Sequence, residues 1–217
     1  MENLNQKLAK GSGLSLLLMA LLAGLAYGYI LMQFGTVETA LSWPDQQAAS
    51  SLFALGIISW FTILALDLFL SYAFYRLYPS KLGRLSALMR LIYSLVLGWA
   101  LISLVKAFYS LGDHTGLSAV SAHIETFNNI WSQGLIIFGV HLFLLAALVP
   151  LKWLKVLLGL AGISYTIVHA GLNYWPEANT IFQSLETALA LPMALGELSF
   201  ALVLLFKPVL LFPKLSR

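Results

Sequence analysis

Polar and apolar residues segregate along this chain into long blocks. Six apolar runs, at about 14–34, 50–75, 87–109, 127–149, 156–175 and 185–206, are separated by shorter polar stretches. Each run is close to the ~20 residues a helix needs to cross ~30 Å of hydrocarbon at ~1.5 Å per residue. The pattern predicts an all-α polytopic membrane protein, a single transmembrane domain over 1–217 built as a bundle of six transmembrane helices. The clearest run is WSQGLIIFGVHLFLLAALVPLKW, from Trp131 to Trp153, in which His141 is the only ionisable residue before Pro150. Trp131 and Trp153 read as interfacial anchors. Ten residues past Trp131, His141 falls ~15 Å into the hydrocarbon, so it should face other helices and have a partner.

The remaining runs carry their own signals. The polar start MENLNQKLAKGSG followed by apolar residues also fits a cleavable signal peptide. A retained helix is expected instead, because the run continues through Tyr27 to Met32. Ala20, Gly24 and Gly28 form a ridge of small residues suited to close helix packing, expected here to serve packing inside the protein. Residues 35–49, with Glu38, Pro44 and Asp45, read as a loop. So do residues 110–125, with Asp113, His114, His123 and Glu125.

Composition narrows the class further. The 217 residues are 60% hydrophobic and 10% charged, against about 25% charged in soluble domains. Cysteine is absent, which excludes disulfides, thiolate metal sites and cysteine nucleophiles. The net charge of +3 is small and the bases flank apolar runs, a lipid-interface pattern that implies no nucleic-acid partner. With the N-terminus cytoplasmic, eleven of the twelve bases lie on that side, and Lys106 is the exception. Both termini are therefore expected in the cytoplasm. Six spans would permit a three-plus-three inverted repeat, but Pro192 has no counterpart in the first half and the ionisable residues of the halves do not align.

The candidate chemistry lies inside the membrane. Asp67 sits ~13 Å and Glu197 ~15 Å from the inner face, sharing a layer with His141. Arg90, in the first turn of the third run, is long enough to reach up toward Asp67, so a salt bridge between them is expected. His141 and Glu197 are expected to meet, either as an interhelical hydrogen bond or as a ligand or proton site. In the fifth run Tyr165, Thr166, His169 and Asn173 recur with Gly162 at helical spacing as a second polar stripe. Glu186, Ala190, Met193 and Ala194 share the Glu197 face; Trp60, Ser71 and Tyr75 share that of Asp67; and Gln133 and Ile137 share that of His141. No metal or other cofactor is expected. His169 lies at a different depth, and no HExxH, GxSxG, GxGxxG or phosphate loop occurs.

Several segments carry a resemblance: LALDLFLSYAFYRL (64–77), MRLIYSLVLG (89–98), WSQGLIIFGVHLFLLAALV (131–149), LGLAGISYTI (158–167) and LGELSFALVLL (195–205). In these the chain resembles the bacterial membrane proteins grouped as domain-of-unknown-function family 4386. The resemblance implies a six-helix protein of the bacterial inner (plasma) membrane and points to Asp67, Arg90, His141 and Glu197; it brings no activity with it.

The expected function is that of an integral membrane binding, transport or accessory protein with a buried polar cluster. Its partners are the lipid bilayer and a small-molecule, lipid or proton ligand. The alternatives are an intramembrane enzyme using His141 and Glu197 as an acid–base pair on a lipid-soluble substrate, and a structural subunit whose charges only specify packing. Topology is directly testable because the chain has no native cysteine. Single cysteines at Ser42, Ser118 and Asn179 should react with an impermeant thiol reagent on intact cells, and one at Ser80 should not. Labelling at Ser80 alone would reverse the orientation.

Overall fold

The computed structural model describes residues 2–34, 46–111 and 117–212. The helices are α1 (Glu2–Ala23), α2 (Gln46–Leu77), α3 (Lys81–Leu111), α4 (Leu117–Leu148), α5 (Lys152–Tyr174) and α6 (Asn179–Phe206). A π-helical stretch (Gly24–Ile30) and a 3-10 turn (Leu31–Gln33) prolong α1, and the turn Pro176–Ala178 leads into α6. Six helices among the described residues are long and apolar enough to cross a membrane. The protein is an all-α, multi-pass membrane protein.

Every helix starts before its apolar stretch, because caps and turns rather than hydropathy set helix starts. The Ser80 Oγ accepts the Gly83 N–H at 3.1 Å, an N-cap that starts α3 at Lys81 rather than near residue 87. At α4 the loop expected over 110–125 gives way to helix from Leu117, so His123 and Glu125 are helical. The cause is a buried stripe of Val120, Ile124 and Phe127 at helical spacing. The polar start is likewise helical, with Ala9 and Ser12 buried. Glu38, Pro44, Asp45, Asp113, His114, Lys214 and Arg217 lie outside the described residues.

Two other expectations change. Ala20, Gly24 and Gly28 are exposed, and among the described residues nothing lies within 4 Å of where a Cβ would stand at either glycine. The small ridge therefore does not pack inside the protein. α4 continues beyond Trp131 to Leu117, and the Trp131 ring packs against Trp60 and Phe127.

The chain forms two compact units. One comprises Met19–Ala65 and Leu95–Trp131, and its core is aromatic. Trp60, 1% exposed, packs against Phe127 and Trp131 with ring centroids 5.0 Å apart in both cases. Tyr27 meets Trp131 at 5.1 Å, and Phe34 meets Phe53 edge-on at 5.0 Å. Edge-to-face geometry sets the positive ring edge against the negative face, a gain beyond the area buried.

The other unit comprises Met1–Leu18, Leu66–Ser94 and Ser132–Arg217. Small residues bring its helices together. A Cβ on Gly139 of α4 would lie 2.6 Å from the Gly162 carbonyl of α5, and one on Gly162 would lie 2.7 Å from the Gly139 carbonyl. A Cβ on Gly196 of α6 would lie 2.8 Å from that of Ala161. In lipid, where apolar burial does not drive helices together, such backbone approach supplies the packing. Gly162→Val should force α4 from α5 and cost about 1–3 kcal/mol or more, read as a lowered melting temperature in detergent. Unchanged stability would contradict the close crossing.

Candidate functional site

All the sequence-derived candidates fall in this second unit, and the site is built outward from the turn between α2 and α3. Residues 78–80 reverse the chain, and a Cβ on Gly83 would come within 2.2 Å of the Tyr78 carbonyl, so the turn closes tightly. Tyr78 is buried there, 5.1 Å from the Phe212 ring, and burial pushes its phenol above the ordinary value. From this turn Asp67 lies back along α2 and Arg90 lies forward along α3 by similar lengths, ~13–15 Å each. Arg90 thus stands in the third turn of α3 rather than the first, level with Asp67.

The two form the expected salt bridge through Arg90 Nη2 and Asp67 Oδ1, at 1% and 0% side-chain exposure. The guanidinium sits between the rings of Phe74 and Phe138, at 5.6 and 5.3 Å from their centroids. A cation held over ring faces away from water gains from their quadrupoles. Arg90 Nη1 is also 3.3 Å from His141 Nε2.

The bonding of His141 fixes its tautomer. Its Nδ1 lies 2.8 Å from the Ser86 carbonyl oxygen, which only accepts, so Nδ1 carries the proton. The Nε2 lone pair is then left to accept from Arg90. Ser86 Oγ returns a bond to the His141 carbonyl at 3.2 Å, so the two residues tie α3 to α4 reciprocally. The ring stacks on Phe74 at 5.8 Å and 14°. His141, 0% exposed, completes a closed three-helix network with Asp67 and Arg90.

His141 and Glu197 do not hydrogen-bond to each other. The His141 ring is instead taken by the Ser86 carbonyl and Arg90 on α3, while Glu197 takes the Tyr165 hydroxyl on α5.

Glu197 has separate company. Half-buried on α6, it accepts the Tyr165 hydroxyl at 2.9 Å. Tyr165 in turn meets Phe138 edge-on at 5.4 Å, so Phe138 stands between the Arg90 guanidinium and the Tyr165–Glu197 pair. Glu197 lies within Coulombic range of Arg90, but among the described residues no basic nitrogen lies within 4 Å of it.

The rest of the α5 stripe points to α4. His169 Nδ1 and Ser132 Oγ are hydrogen-bonded at 3.0 Å, and Asn173 Nδ2 donates to the same oxygen at 2.8 Å. Thr166 bonds its own helix at the Gly162 carbonyl, 2.9 Å away. Of the stripe, Tyr165, His169 and Asn173 therefore make interhelical bonds and Thr166 does not. Sequence reasoning passed over Ser86 and Ser132. Ser86 had a signal: with Arg90 and Ser94 it recurs every four residues, and all three are buried at 1% or less. Ser132 had no such periodic partner. Among the described residues no three His, Asp or Glu side chains are placed to hold a metal ion.

Fold and site together define an α-helical integral membrane protein with six spans, a buried ion pair and an intramembrane carboxylate on a tyrosine. Residues 12–207 match the family model described as Domain of unknown function (DUF4386), and the chain belongs to that family. No curated protein and no solved structure matches it.

The salt bridge yields a double-mutant test. Asp67→Asn or Arg90→Gln alone strands a buried charge and should cost about 3–5 kcal/mol, while the double change should recover part of that loss. Melting temperatures in detergent measure the cycle. Additive losses would mean that the two side chains do not interact.

Proposed function

We propose that this is a membrane-embedded binding or transport protein in which Glu197, oriented by Tyr165, meets the ligand or proton. In this reading the Asp67–Arg90–His141 network is the scaffold that holds the helices. One contrast carries it. Asp67 is neutralised by Arg90, whereas the Glu197 carboxylate, also inside a spanning helix, has a neutral phenol as its hydrogen-bond donor. An intramembrane carboxylate without a cationic partner is costly unless it takes up a proton, a cation or a polar ligand. Pro192, about a turn and a half before it in α6, removes a backbone hydrogen bond from the same helix.

The protein is further proposed to lie in a bacterial plasma membrane with both termini cytoplasmic. The bases on the proposed cytoplasmic side, other than the buried Arg90, flank the apolar runs there, which supports that orientation.

The test is a thermal-shift scan across about pH 5 to pH 9 with sodium, magnesium and small organic cations, spanning the range in which a perturbed carboxyl titrates. Wild type should show a proton- or cation-dependent shift. Glu197→Gln should stay folded and abolish it, and Tyr165→Phe should weaken it. A wild-type profile that no condition moves differently from that of Glu197→Gln would reject this role.

A further inference from the structure

A separate feature lies on the outer side of the α2–α3 pair, away from Glu197 in sequence and bonding. An apolar groove of about 530 Å³ runs between the two helices, lined by Leu68, Tyr72, Tyr75, Arg84, Leu88 and Leu91 among others. Its size falls within the ~300–1,000 Å³ typical of small-molecule sites. A second, more polar cavity of about 360 Å³ lies at the turn and shares Tyr75 and Arg84 with the groove, adding Arg76 and Asn5. The two form one amphipathic trough, apolar along the helices and basic at the turn.

Its geometry follows from the helix ends. Arg76 precedes the last residue of α2, and Arg84 stands in the first turn of α3, so the capped turn brings both guanidinium groups to one end of the trough. From there Leu68 and Leu91 lie ~10–12 Å along their helices, a depth reaching into the hydrocarbon. The Arg84 guanidinium rests over the Tyr75 ring, 5.5 Å from its centroid, which holds it at the boundary between the cavities. Both arginines are exposed, and among the described side chains neither has a carboxylate partner. Arg90, the one buried arginine among the described residues, is by contrast paired with Asp67.

We propose that this trough binds a phospholipid with an anionic headgroup, its phosphate on Arg76 and Arg84 and an acyl chain along Leu68, Leu88 and Leu91. Guanidinium forks match phosphate oxygens in charge and geometry. Basic pockets between spanning helices at the membrane surface recognise acidic lipid headgroups by the same chemistry. The tyrosines supply amphipathic walls where the trough passes from interface to hydrocarbon. The site is independent of the role given to Glu197.

The test measures lipid retention on the full-length protein by native mass spectrometry and lipid-induced thermal shift. The probes are phosphatidylglycerol, phosphatidylcholine of the same chains, and free glycerol phosphate. Wild type should retain phosphatidylglycerol in preference to phosphatidylcholine and should not respond to glycerol phosphate. R76Q/R84Q should weaken phosphatidylglycerol binding about ten-fold or more and remove the preference. Because it changes no charge, Leu88→Trp supplies a second arm: by filling the groove it should weaken both lipids alike. Equal phosphatidylglycerol retention by wild type and R76Q/R84Q, or no loss with Leu88→Trp, would overturn the proposal. Glycerol phosphate binding as well as the lipid would mean a soluble-phosphate site and would overturn it too.

Discussion

A charge pair in a medium that cannot solvate it is the constraint on which the α2–α3–α4 region depends. Asp67 and Arg90 are buried on neighbouring helices, and each retains one polar atom, Oδ2 and Nε, without a hydrogen-bond partner among the described residues. Such a pair adds little net stability, because desolvation offsets most of the attraction, yet losing either member leaves an uncompensated charge. The pair therefore acts on register more than on stability. It can form only if α2 and α3 are aligned to within a turn. The Ser80 cap, the crowded Gly83 turn and the Phe74–Arg90–Phe138 sandwich all hold that alignment. His141 extends it to α4 by accepting from Arg90 and donating to the Ser86 carbonyl.

The two intramembrane carboxylates have different surroundings. Asp67 has an obligate cation and no exposure, which suits a fixed structural charge. Glu197 has a neutral phenol as its hydrogen-bond donor and, among the described residues, no basic nitrogen within 4 Å. Phe138 touches both settings, its ring face under the guanidinium and its ring perpendicular to that of Tyr165.

Much of this was legible in the chain. Six spans followed from block hydropathy, and the Asp67–Arg90 bridge from depth and reach. His141 was rightly singled out as a residue needing a partner, but its partner was misassigned. Depth along a helix does not say which neighbour a ring meets, and the Ser86 carbonyl and Arg90 that take the His141 ring lie on a helix whose rotation the sequence does not fix. Helix ends set by Ser80 and Gly83 are invisible to hydropathy, because caps satisfy backbone groups whatever the side chains' apolarity. The Gly139–Gly162 crossing was also hidden, because a glycine's partner is a backbone surface that sequence does not name.

The closed network makes one demand that can be read atom by atom. In bilayers at neutral pH, nitrogen-15 solid-state NMR of His141 should show a neutral ring protonated at Nδ1, with an Nε2 resonance that shifts when Arg90 becomes Gln while Nδ1 stays in place. A ring protonated at Nε2, or an Nε2 signal indifferent to Arg90, would contradict the network on which this account rests.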